Sequence, residues 1–484
     1  MSAGNAAKTS MAADAKTASW IEQAHHCEKL PSIDDCLPYR DLGAMWSTLV
    51  DRWADRPWMT YYPCNSAGEE PVRFTLGEFS DLIDRVAVLL ENEYGISRGR
   101  TIALMTVNQP LTAAIYFAAW RLGARVVPIS PAESDERIGA ILGHVGANQL
   151  IVHTTCRADH EPLDRVLEST QREEFQRTLV LDGASRHAAL VAGWEDFNEA
   201  LEEADGKAAA SLPSVASWDA EAMVLYPSVE RGRLTGVVLT QKQLLAAAYG
   251  ISQWHGIDEH TVMMSVLPLH RASEVILALV TAAFVGAEVV LNRDFAVEGF
   301  WRKLAEHDVN IVSVIPKFLH ALMATEEEYD PEKLAGFRHF ISRSQPLTVE
   351  AAGEFQDRFG LKIIHGYGLN ETACYSCFLP VELEWSEHVE WLCDHEVPSV
   401  GMPIIVNDVD IHDANGKSLR PGEKGEIVAR GHNIMAGYLN DPQANAEIFS
   451  HGWLHSGYEG LKLRSEDGHD YFFVTGQISG RGNS

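Results

Sequence analysis

The sequence predicts an α/β protein built from two doubly wound α/β subdomains and a β-rich, barrel-like third. Three observations carry this. Short apolar runs alternate with segments of helical period from Leu42 to Val152, and such βαβα order makes mostly parallel sheets. The alternation resumes after a polar, Ala/Ser-rich stretch over 202–217 and runs to Thr372. Beyond Pro398 the composition shifts to short strands and turns. The expected units are an N-terminal arm (1–40), a first α/β subdomain (41–240), a second (241–396) and the β-rich part (397–476).

Taken in order, residues 1–40 show no sustained period and read as a disordered arm followed by a tether. Met45, Leu49 and Trp53 recur at helical spacing, and Met59–Tyr62 is a short strand. Thr75 with Glu78 forms a capping box for a helix to about Asn92. The strand Thr101–Met105, a helix through Trp120, the strand Ala124–Ile129, a helix from Ser134 to Val145 and the strand Gln149–Val152 complete the first series. In the second, Thr240 caps the helix Gln241–Trp254, Thr261–Val266 is a strand, Val275–Phe284 a helix and Glu288–Leu291 a strand, and Asn310–Pro316 repeats the pattern.

With 484 residues, 46% hydrophobic and 22% charged, the chain has material for several cores. A net charge of −29 argues against nucleic-acid and anionic-membrane partners, which it would repel. The sequence holds no apolar run of about 18 residues and no apolar signal core, which predicts a cytoplasmic protein. Seven cysteines, sparsely spaced, fit reduced thiols; Cys374-x-x-Cys377 has no second pair at zinc spacing, so no metal centre is expected from it.

The stretch Ala222–Thr240 carries the most chemistry. Apolar runs at Met223–Tyr226 and Val237–Leu239 bracket a polar segment with Gly and Pro, a β-hairpin with a long, mobile loop of the kind whose backbone N–H groups wrap phosphate. Its frame, Tyr226-x-Ser228…Gly232…Gly236-Val-Val-Leu-Thr240, resembles the phosphate loop of the adenylate-forming superfamily of acyl-CoA synthetases, adenylation domains and luciferases. Ser228, Gly232 and Gly236 match; Val229 replaces a Gly, Glu230 and Arg231 two Thr, Leu234 a Pro and Thr235 the Lys. A branched residue resists φ > 0, and a carboxylate repels a triphosphate.

Further segments resemble the same family. Trp120–Pro131 matches its helix-Gly-Ala-strand signature, and Ile311–Pro316 the strand leading into its acyl pocket. Pro268-Leu269-His270-Arg271 stands where Pro-Leu-Phe-His is usual, so Arg271 takes the His position. At Ser342–Gln345, Arg343 and Ser344 occupy both Gly positions of the adenine loop; Arg343 either fills part of the nucleotide site or turns out to solvent. His365-Gly366-Tyr367-Gly368-Leu369-Asn370-Glu371 is the best-preserved motif, in which the family stacks the Tyr on adenine and uses the Glu for Mg²⁺; Asn370 replaces a Thr. Tyr458 stands where an Asp holds the ribose, and Gln477 where an Arg opens the hinge, so 477–484 reads as the start of a hinge before the family's small swinging domain, which the sequence given lacks.

The resemblance thus implies Glu371 and Asn370 as catalytic residues, with Ser228, Gly232, Gln345, Tyr367 and Tyr458 around the AMP moiety of an acyl-adenylate. It implies an acyl pocket lined by His270, Arg271, Pro316, His365, Gly366 and Gly368, where Gly366→Trp would block the ligand and leave the fold intact. The substitutions fall on groups that serve ATP. The expected activity is therefore the second half-reaction alone: a preformed acyl-adenylate, supplied by a partner synthetase, is converted to a thioester with CoA as co-substrate. A binding or scaffold protein of the same fold, and an ATP-using ligase with unusual loops, are the alternatives.

Overall fold

The computed structural model describes residues 15–64, 70–153, 176–180, 195–212, 217–227, 234–325, 329–343 and 346–478. Within them, three sheets carry the fold. The largest has nine strands. Its centre is parallel, in the spatial order Pro57–Tyr62, Glu288–Asn292, Val262–Ser265, Ile311–Val314, His339–Ser342, Lys362–Tyr367. Short antiparallel strands close both edges: Val72–Thr75 on one side, Cys377–Phe378 and Met402–Pro403 on the other. These central strands are buried along their length without alternation, as strands covered on both faces should be.

The second sheet has eight strands, with Arg125–Pro128, Thr101–Met105, Gln149–His153 and Gln176–Val180 side by side and parallel. The hairpin Glu221–Leu225 and Val237–Thr240 forms as the sequence predicts. Local signals hold as well. Thr75 and Glu78 exchange their capping bonds at 2.8 and 3.2 Å, Asp41 accepts from the Ala44 N–H at 2.7 Å, and the carbonyl of the Gln243 side chain takes the Thr240 N–H at 2.6 Å. Among the described residues no helix is long and apolar enough to cross a membrane.

Four expectations need correction. The unit 41–240 does not make one sheet: Pro57–Tyr62 pairs with Glu288–Asn292, so the first predicted strands belong to the later series. Alternation in sequence reveals a buried strand but not its neighbour. Similarly, Met402–Pro403 and Gly437–Tyr438 leave the 397–476 unit to complete the two α/β sheets. The β-rich part is an open four-stranded antiparallel sheet, Asn407–His412, Gly425–Gly431, Leu454–Arg464, Asp470–Gln477, and not a barrel; Gln477 ends its last strand. Finally, residues 15–40 are packed. Positions 15–25 are helical, Ala24, Cys27, Cys36 and Leu37 are buried, His25 Nε2 meets the Met435 carbonyl at 2.9 Å and His432 Nε2 the Pro31 carbonyl at 2.8 Å. Trp20, Ile21, Ala24 and Cys27 hold the i, i+1, i+4, i+7 spacing that identifies this face. Residues 1–14, and 479–484 of the expected hinge, lie outside the described residues.

Candidate functional site

In the nine-stranded sheet, the chain runs from Val262–Ser265 to Glu288–Asn292 on one side and then crosses to Ile311–Val314 on the other. That reversal is a topological switch point, and in open α/β sheets ligands bind in the crevice outside the carboxyl ends of such strands, here Val262–Ser265 and Ile311–Val314. Four candidate segments leave the sheet at this edge: Leu267–Arg271, Pro316, Arg343 and Gly368–Glu371.

Glu371 lies in a single 3₁₀ turn, Asn370–Thr372, closed by the Leu369 N–H donating to Thr372 Oγ1 at 3.0 Å. Directly after it, Ala373 and Cys374 hold φ of 46° and 71°, a left-handed backbone that non-glycine residues adopt at a cost. Asn433 secures this turn by donating through Nδ2 to the carbonyls of Thr372 and Tyr375, at 2.9 and 2.7 Å. The Glu371 side chain is buried. Tyr438 Oη donates to its Oε1 at 2.8 Å, while Oε2 has no hydrogen-bond partner among the described residues. Burial pushes the carboxyl up to about 7 against the opposing effect of the Tyr438 bond. Tyr438 is delivered by pairing of Gly437–Tyr438 with Val237–Thr240, and the Leu439 N–H donates to Gly236 at 2.8 Å, so the far side of the polar hairpin loop is anchored beside Glu371.

A buried carboxylate with one orphaned oxygen fits the Mg²⁺ role that the resemblance assigns to it. Mg²⁺ commonly takes one or two carboxylates and completes its shell from phosphate and water, which would neutralise phosphate charge. Glu371 is the residue that would hold it. Among the described residues no group of three His, Cys, Asp or Glu makes a metal cage, and burial pushes the Cys374 and Cys377 thiols up.

Ser228, Gly232 and Gln345, with Val229 and Glu230, lie outside the described residues. The loop's near stem is tied down: Tyr226 Oη meets His144 Nδ1 at 2.8 Å, and Arg137 Nη2 donates to the Pro227 carbonyl at 2.5 Å. Arg343 does not turn out to solvent. Its side chain is buried, Nη1 donates to the Cys374 carbonyl at 2.5 Å, and the guanidinium carbon lies 4.6 Å from the centre of the Tyr375 ring. Tyr458 and Gln477 are cross-strand partners, and Gln477 Nε2 donates to Tyr458 Oη at 2.9 Å. Tyr367 meets the Tyr458 ring edge-on at 6.0 Å.

On the acyl side, Asn108 braces the loop before Arg271: its Nδ2 donates to the Leu267 carbonyl at 2.9 Å and its Oδ1 accepts from the Leu269 N–H at 2.7 Å. His270 is held neutral, its pKa lowered to about 4 by burial and then by the Arg271 charge. His365 is buried and committed to the Ser399 carbonyl at 2.9 Å, its pKa also lowered to about 4 by burial. Pro316 starts the helix Pro316–Met323, and its carbonyl bonds His320 Nδ1 at 2.8 Å. Gly366 corrects an expectation: a Cβ there would lie 2.4 Å from the Phe378 ring, so Gly366→Trp cannot leave the fold intact. At Gly368 a Cβ would come within 2.3 Å of the Cys374 carbonyl oxygen; both glycines permit close strand approach.

Three residues were missed from sequence: Tyr438, Asn433 and Glu274. Tyr438 and Asn433 reach the site from across the fold, without a local signal. Glu274 had one, an isolated acid opening the apolar run Val275–Val285. It is fully buried at the start of a helix that continues as the wide π-turn Val275–Thr281, and Ser265 Oγ donates to its Oε1 at 2.6 Å.

A switch point of a parallel sheet with a buried glutamate beside it is where small molecules bind in open α/β folds. The chain belongs to the AMP-binding enzyme family, whose model matches residues 47–439. It is an acyl-CoA synthetase-like member of that adenylate-forming family. Among its relatives, a sulfoacetate–CoA ligase of Cupriavidus necator is 27% identical over 79% of this chain and 69% of its own length. A crotonobetaine/carnitine–CoA ligase of Salmonella arizonae is 26% identical over 90% of this chain and 80% of its own. The fold matches the inhibitor-bound N-terminal domain of FACL13 from Mycobacterium tuberculosis with a TM-score of 0.72 at 21% identity, over 90% of this chain and 100% of that one. It matches the anthranilate CoA ligase AuaEII in complex with anthranoyl-AMP with a TM-score of 0.76 at 19% identity, over 92% and 80% of the two chains.

Proposed function

We propose that this chain catalyses the thioester-forming half-reaction of an acyl-CoA synthetase and does not make the adenylate from ATP. The acyl-adenylate comes from a partner synthetase, and CoA is the acceptor, in keeping with the CoA ligases among its relatives. In the reaction, the CoA sulfur bonds to the acyl carbonyl carbon and the bond from that carbon to the phosphate oxygen breaks. AMP leaves with the electron pair, and the thiol proton passes to solvent.

The observation that carries this reading is the Gln477–Tyr458 hydrogen bond at 2.9 Å. By resemblance these are the positions of the ribose-holding Asp and the hinge-side Arg, and here two neutral side chains bond each other. Val229, Glu230 and Thr235 in the phosphate loop, and the buried Arg343 where the adenine loop has glycine, support it from independent places. Losing a charged partner to the ribose costs about 1–3 kcal/mol, which roughly 100 Å² of buried acyl tail offsets at about 25 cal/mol per Å². ATP has no such tail. Pyrophosphate exchange measured over a broad panel of carboxylic acids is expected to stay at background; robust exchange with any acid would overturn the proposal.

A further inference from the structure

Arg271 and Arg343 leave the sheet at the same edge, from the strands on either side of Ile311–Val314. Arg343 is fixed by the Cys374 carbonyl and the Tyr375 ring, so its charge cannot swing to solvent. Arg271 is half-buried, and its guanidinium makes no hydrogen bond or ion pair with any described residue. A guanidinium offers five donors, and partial burial removes part of the water that would satisfy them. The Arg343 charge acts on Arg271, and the acid opposing it there is Glu274. That carboxyl is fully buried and already bonded to Ser265. A half-buried guanidinium with no bonded acid, in a chain with net charge −29, is a local inversion of the molecule's field.

We propose that Arg271, backed by Arg343, is an anion subsite at the floor of this crevice and takes one acidic group of the bound acyl-adenylate. That group is either the adenylate phosphate or a second acid on the acyl chain; both present oxygens to a forked donor. The inference rests on the crevice being the acyl-adenylate site.

The test is calorimetric titration of the whole chain with two matched pairs, AMP against adenosine and adipate against hexanoate. Wild-type protein is expected to prefer the member with the extra acid in at least one pair. Arg271→Met is expected to remove that preference by about tenfold or more, with Arg271→Lys restoring part of it. A loss confined to AMP assigns the phosphate, and a loss confined to adipate assigns the acyl chain. Absence of either preference in the wild type overturns the subsite, as does an Arg271→Met protein that melts normally and keeps the preference. Should Arg271→Met fail to fold, Arg271→Gln is measured against the same criteria. Pyrophosphate exchange by the wild type would overturn the thioester-only reading and leave this result standing.

Discussion

Glu274 is where the chemistry of single residues is most exposed to test. Burial pushes its carboxyl from the ordinary 4.5 up to about 7, against hydrogen bonds from Ser265 and Ser313 and the charges of Arg343 and Arg271. Between those values the folded state holds a proton that the unfolded state releases, so stability falls as pH rises through the window. Glu274→Gln removes that loss. Its melting temperature relative to wild type is expected to be more favourable at about pH 8 than at about pH 5, and a difference independent of pH would contradict the assignment. Gly366 gives a second prediction. Gly366→Ala places a methyl against Phe378 and should destabilise by about 1–3 kcal/mol in urea titration; an unchanged midpoint would show that the ring yields. At this scale the sequence singled out Tyr367 and Glu371 because their motif is contiguous. It placed Gly366 wrongly as a tolerant pocket wall, because the ring that fills the missing Cβ comes from a neighbouring strand.

Between elements, the decisive link joins the polar hairpin to the Glu371 turn through Gly437–Tyr438 and Asn433. Asn433→Ala leaves the Tyr375 carbonyl without its donor and the Thr372 carbonyl with the Tyr375 N–H alone, and is expected to cost about 1–3 kcal/mol while loosening the strained turn at Ala373 and Cys374. Urea denaturation checks the cost, and wild-type stability would contradict it. The hairpin stems were legible because apolar runs bracket a Gly-rich segment. Their third strand was not, since Gly437–Tyr438 is too short to carry a period and its partner lies in a distant part of the chain. The tether over 15–40 was misread because its apolar face is short: Trp20 and Ile21 are followed by the small Ala24 and Cys27, which weaken a hydropathy signal without weakening packing.

For the whole molecule, both α/β sheets share one plan, in which the second strand of each series lies on one side of the first and the third on the other. Alternation along the sequence predicted such sheets, and the switch point then located the crevice. Which strand joins which sheet depended on long-range pairing that alternation does not encode, as Pro57–Tyr62 shows. The crevice keeps the Tyr367–Glu371 turn, while Arg343, Tyr458 and Gln477 turn their polar groups on protein partners. The most direct measurement of what that combination does is acyl-CoA formation, followed by chromatography, with one sample of the chain given either a synthetic acyl-adenylate plus CoA or the free acid plus ATP, Mg²⁺ and CoA. The account predicts acyl-CoA from the adenylate and none from acid and ATP. Comparable product from acid and ATP, or none from the adenylate, would contradict it.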